Sequence, residues 1–130
     1  MSVPAPKPEL KQLLEHYPAD VRKLILGARD LLLATLPGMS EFPDPSSRVI
    51  GYGVGVAYRD TIATLILSQK GVKIGIVGGA TLADPARLLE GSGKVHRYVP
   101  IAEPADLKRA ELTRLLKSAG SKWKEQRNPT

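Results

Sequence analysis

Three groups of residues in this chain have types and spacings that could do chemistry. The first is Gly91-Ser92-Gly93-Lys94, which looks like a fragment of a phosphate-cradling loop. A Walker A loop needs Gly-x-x-x-x-Gly-Lys followed by Ser or Thr, whose hydroxyl holds magnesium, between a strand and the helix that follows it. Here Val95 follows Lys94, and Leu88 stands where the first glycine belongs. The order is also inverted, because the loop reads as leaving a helix and entering a strand. The helix N-terminus that would attract an anion is missing on its far side. The stretch is expected to stop a helix and turn the chain, with Lys94 left as a lone surface charge.

The second group follows from the same stretch. KVHRYVPI reads as a strand with Val95, Arg97, Val99 and Ile101 on one face and Lys94, His96 and Tyr98 on the other. That polar face binds a small anion if it opens onto a cleft shared with Lys73; the alternatives are a plain exposed sheet face or one lying under a helix. The third group is the basic C-terminal end. From Lys108 onward seven lysines and arginines stand against Glu111 and Glu125, nearly the whole net charge of +6. Phosphate contact through Lys117, Lys122 and Lys124, with Trp123 stacked on an unpaired base, is the binding such an end offers. With so few charges it is expected to be weak and sequence-blind, for nucleic acid or for an acidic partner; the bland alternative is a solvated end. A catalytic set is not legible: His16 and His96 lie far apart, with no serine-nucleophile motif or carboxylate pair beside them.

The elements that must position these groups follow from composition and period. A chain of 130 residues can bury a core as one domain. It has no cysteine, so thiolate metal sites, disulfides and a cysteine nucleophile are excluded, in keeping with a reducing, cytoplasmic setting. The opening MSVPAPKPELKQ lacks an apolar run behind a basic start, which reads against a signal peptide. No apolar stretch is long enough to span a bilayer, and no membrane partner is expected. Residues 1–8 read as a flexible proline-rich arm, 9–119 as the domain and 120–130 as a basic flexible tail.

Leu10, Leu13, Leu14 and Tyr17 form one helical stripe, ended by Pro18. Val21, Leu24, Ile25, Ala28, Leu31 and Leu32 form a second, ended by Pro37-Gly38. SEFPDPSSR reads as a loop. From Arg48 the period becomes two: Ile50, Tyr52, Val54, Val56 and Tyr58 share one face, and Gly51, Gly53, Gly55 and Ala57 the other. That glycine face is expected to lie under a tightly packed helix or, failing that, to floor a pocket. TIATLILS and VKIGIV read as further strands. ADPARLLEG carries helix punctuation, with Asp84 as cap, Pro85 at the first position and Gly91 at the end. A last helix runs from about Glu103 to Ala119, stopped by Gly120. The fold class is α+β: an antiparallel sheet of about four or five strands flanked by N- and C-terminal helices.

The order of elements, the Tyr52-Gly53 step near the first strand and the run DPARLLEGSGKVHRYVPI before a terminal helix resemble the YdhG-like (DUF1801) family, over roughly Glu9 to Ala119. The resemblance implies an α/β sandwich with both terminal helices on one antiparallel sheet. Most of that family has no assigned activity, and some members resemble frataxin and are proposed to act as intracellular iron chaperones. Where the family tends to show Tyr-Gly-Met-Pro, this chain has Tyr52-Gly53-Val54-Gly55. Frataxin-type iron binding uses a ridge of exposed carboxylates. The candidates Glu9, Glu15, Asp20 and Asp30 alternate here with Lys7, Lys11, Arg22, Lys23 and Arg29, which repel a cation. The best local metal set is Glu15, His16 and Asp20; a helix-end histidine beside a capping aspartate is the simpler account of the same residues. The expected function is a non-catalytic, intracellular binding or chaperone-like module, with iron delivery as the alternative.

Overall fold

The computed structural model describes residues 3–127. Met1, Ser2 and residues 128–130, the extremes of the expected arm and tail, lie outside the described residues. Two helices, α1 (Pro8–Leu14) and α2 (Ala19–Thr35), precede five strands: β1 (Ser40–Asp44), β2 (Val49–Gly53), β3 (Thr61–Ser68), β4 (Gly71–Ile76) and β5 (Arg97–Ile101). A long helix, α3 (Ala110–Arg127), follows. The strands form one antiparallel sheet in sequence order, β1-β2-β3-β4-β5. This is the α+β architecture that the two periodicities predict, with helices from both ends of the chain packed on the sheet.

Alternation decides which face is covered. Ile50 lies opposite Leu65, Leu65 opposite Ile74 and Ile74 opposite Val99, so one buried row crosses four strands. Against it sit Leu10 and Leu13 of α1, Ile25, Ala28 and Leu32 of α2, and Leu112 and Leu116 of α3. A register shift beside Tyr52 and Gly53 makes Ile62 an extra residue in β3, so that Ile62 and Ala63 are both buried. The opposite row, Gly51, Thr64, Gly75 and Tyr98, carries no helix among the described residues. Ile66 on that face is 38% exposed, and Lys73 is exposed.

Five expectations are corrected. SEFPDPSSR is not all loop: Ser40–Asp44 pairs with β2 at the sheet edge, where Pro43 costs no ladder bond. The strand from Arg48 stops at Gly53, and Val54, Val56 and Tyr58 are exposed instead of sharing the face of Ile50 and Tyr52. ADPARLLEG forms a capped turn and no helix. The Asp84 carboxylate accepts the Leu88 and Leu89 N–H groups at 2.9 and 2.8 Å, and Arg87 at φ 54° breaks the helical path. Pro104–Lys108 is a separate 3-10 turn, and α3 continues through Gly120 to Arg127. Gly120 is a contact there, not a stop: a Cβ would meet the Leu36 side chain at 2.8 Å. The expected arm is held at Pro4, whose carbonyl accepts from Arg29 at 2.6 Å.

Candidate functional site

The uncovered face of the sheet holds a cleft of about 360 Å³. Its floor is Gly75, paired with Thr64 of β3 on one side and Tyr98 of β5 on the other. A side chain at Gly75 would run into the Thr64 hydroxyl, so the glycine keeps the floor flat. Ile66 and Val77 extend the apolar surface. Clefts of a few hundred Å³ with apolar floors and few polar groups are what small-molecule sites usually are.

One wall comes from the segment between β2 and β3. The Asp60 carbonyl accepts the Val54 N–H at 2.8 Å and occupies the space that a Gly53 side chain would need. The chain therefore leaves the sheet at Gly53, bulges outward and returns through a single 3-10 turn, Tyr58–Asp60. That turn sets the Tyr58 hydroxyl 2.8 Å from His96 Nε2, with the two rings edge to face at 5.3 Å and 61°. Val54, Val56 and Val95 are exposed apolar side chains, Val56 at 82%. On the floor's far side the Lys73 ammonium lies 4.5 Å from the centre of the Tyr98 ring.

Beyond Tyr58 and Val77 lies a second cleft of about 700 Å³, which shares both residues with the first. Arg59, Lys94, Trp123 and Arg127 line it. The Arg127 guanidinium stacks 4.5 Å over the Trp123 ring, donates to the Arg59 carbonyl at 2.8 Å and pairs with Asp60 at 3.2 Å. Arg59 and Lys94 have no carboxylate within ion-pair distance among the described residues.

Of the expected anion face, His96 and Tyr98 line the first cleft, Lys73 packs on Tyr98 beside it, and Lys94 lines the second. Glu15, His16 and Asp20 are exposed and do not converge. Glu15 ends α1, His16 offers its carbonyl to Gln69 at 2.9 Å, and Asp20 accepts its neighbour's Val21 N–H. Among the described residues no group of three histidine or carboxylate side chains could hold a metal ion. At the basic end, Lys122 donates to the Thr81 carbonyl and hydroxyl, Trp123 is half-buried with one face under Arg127, and Lys117 and Lys124 are exposed. Trp123 is a wall of a cleft and no free platform for a base.

The residues missed from sequence are Tyr58, Gly75, Arg59 and Arg127. Gly75 had a legible signal, a lone glycine in the apolar strand VKIGIV, where glycine often marks a close approach. Tyr58 had none, because its place depends on the strand ending at Gly53. No helix among the described residues is long and apolar enough to cross a membrane. The chain matches no protein-family model, no curated protein and no solved structure at a significant level, so the resemblance to the YdhG-like family rests on the residues quoted for it.

Proposed function

We propose that the protein is a non-catalytic binding module whose site is the cleft on the uncovered sheet face, and that it takes a small ligand with a flat apolar body. The observation that carries this is the helix-free floor at Gly75, closed on one side by the Tyr58–His96 pair. A sheet face left without a helix normally presents polar side chains to water. Here Ile66, Val77 and Tyr98 leave apolar surface bare around the Gly75 floor, and covering it is the free energy a ligand would gain. The site offers little for catalysis: among the described residues no carboxylate is hydrogen-bonded to His96 to orient it as a base. A binding role also agrees with what the YdhG-like resemblance implies.

N-phenyl-1-naphthylamine, a flat neutral dye that brightens in apolar surroundings, tests the site. For a ligand of roughly 17 non-hydrogen atoms at about 0.35 kcal/mol each, the gain is ~6 kcal/mol, a Kd on the order of tens of micromolar. Ile66→Glu and Tyr58→Ala change exposed side chains, so both should abolish saturable binding with little loss of stability. Dye that does not saturate, or that binds Ile66→Glu as well as wild type, refutes the assignment.

A further inference from the structure

We propose that the natural ligand of the sheet cleft is a soluble phosphate monoester, its flat body on Gly75 and its phosphate in the adjoining basic cleft, held by Arg59 and Lys94. This rests on the reading of the sheet cleft as a binding site. The two clefts share Tyr58 and Val77, so a molecule lying on the floor is led past the Tyr58–His96 pair into the second cleft. Charge then selects the group that arrives there. Among the described residues three cations line that cleft, and its one carboxylate, Asp60, is already taken by Arg127. Arg59 and Lys94 remain, two positive charges without an acidic partner among the described residues.

A phosphate monoester carries about −1.5 to −2 charges at neutral pH and three acceptor oxygens, so it matches this excess where a carboxylate would leave half of it unmet. The two donors are also complementary in kind. Arginine offers a planar fork for two oxygens, and lysine supplies a compact point charge. The arginine is presented from a fixed backbone, because Arg127, stacked on Trp123, holds the Arg59 carbonyl at 2.8 Å. Val95, 50% exposed, lines the second cleft and gives the body of the ester apolar surface beside the cations.

The test compares 1-naphthyl phosphate with 1-naphthol as competitors of N-phenyl-1-naphthylamine, at low and at moderate salt. The phosphate ester should compete at least about tenfold better, since it adds two charge-assisted contacts, and the gap should shrink as salt rises. Arg59→Glu/Lys94→Glu should erase the gap and leave affinity for the neutral dye within about twofold. Lys117→Glu/Lys124→Glu makes the same change in net charge on exposed positions of α3, outside both clefts, and should keep the gap. If the dye binds normally but the ester competes no better than naphthol, the phosphate inference is overturned and the sheet cleft stands. A gap that survives Arg59→Glu/Lys94→Glu, or one that Lys117→Glu/Lys124→Glu erases equally, overturns it too. Binding to phosphatidic acid vesicles without binding of the soluble ester overturns the soluble ligand. Failure of the dye itself is the failure of the underlying site.

Discussion

Gly51 and Gly53 are two residues apart in one short strand, and a methyl group added at each should act in opposite directions. At Gly51 the nearest heavy atom to a new Cβ is the Phe42 carbonyl oxygen at 3.8 Å, an ordinary contact. Alanine there removes backbone freedom from the unfolded chain and should stabilise by about 0.5 kcal/mol. At Gly53 the Cβ would collide with the Asp60 carbonyl and come within 2.8 Å of the Thr61 Cα. Both obstacles are backbone, and the Asp60 carbonyl is also the acceptor for Val54, so relief means moving the turn or losing that bond. Overpacking of this kind costs about 1–3 kcal/mol. For a domain of this size, unfolding entropy of about 2.1 cal/mol/K per residue converts 1 kcal/mol into roughly 4 °C, so Gly53→Ala should melt about 4–12 °C lower. Gly51→Ala should melt level with wild type or up to about 2 °C higher. Thermal unfolding followed by circular dichroism reads both. Because the Gly53 turn delivers Tyr58 to His96, Gly53→Ala should also weaken dye binding. Equal melting points for the two variants would refute the claim that the Asp60 backbone, and neither a covering helix nor an empty pocket, demands glycine at 53.

Two further outcomes follow from the core. Truncation after Ala119 removes the part of α3 that carries Trp123, half-buried, and the Lys122 and Arg127 contacts; at ~25 cal/mol/Å² over roughly 100 Å² it should cost about 2.5 kcal/mol. A melting point unchanged by truncation would mean that residues 120–127 are a solvated tail. The Tyr52 phenol is held well above its ordinary value of 10.0, first by burial and then by its hydrogen bond to Glu41. The stability this contributes is full below about pH 10 and falls as pH rises further, because the unfolded chain ionises while the folded one stays neutral. Tyr52→Phe should cost about 1.5–3 kcal/mol near neutrality, and its deficit against wild type should close by about 1.4 kcal/mol per pH unit above pH 10. A deficit constant in urea unfolding from pH 8 to about pH 11 would contradict it.

The covered half of the molecule was legible because its signal is repetition. Leu10 to Leu32 repeat at helical spacing, and Ile50, Leu65, Ile74 and Val99 sit in alternating strands whose register must bury them or expose them together. Local punctuation was less dependable. Asp84, Pro85 and Gly91 are right for a helix, yet the turn residues were satisfied by one turn and Arg87 took the left-handed region. Gly120 is a helix breaker by propensity, at a cost of about 1 kcal/mol, but close packing of α3 on Leu36 outweighs it. Ser40–Asp44 has a proline and two acidic residues and no alternation to recognise. It becomes a strand because β2 offers an edge, and Glu41 can turn inward only because Arg29, 3% exposed, receives it at 2.9 Å.

The candidate site lies where that repetition fails. Tyr98 and Lys73 were readable from strand alternation, which puts them on the face opposite the core; His96 lies just before β5, and Arg97, which alternation assigns to the other face, also lines the cleft. The side chains that convert the face into a cleft arrive by a non-repeating route. One extra residue in β3 at Ile62 shifts the pairing beside Gly53, the chain steps out of the sheet, and Tyr58 returns above the floor. Arg59 and Asp60 come with the same turn, and Arg127 reaches them from the far end of the chain, 67 residues beyond Asp60. Period-two and period-3.6 patterns describe surfaces that repeat, and a binding site needs one place unlike its neighbours. In this chain that place is made by a bulge, a glycine that tolerates no Cβ and an arginine fixed on a tryptophan, each of which becomes visible only when the strands are paired.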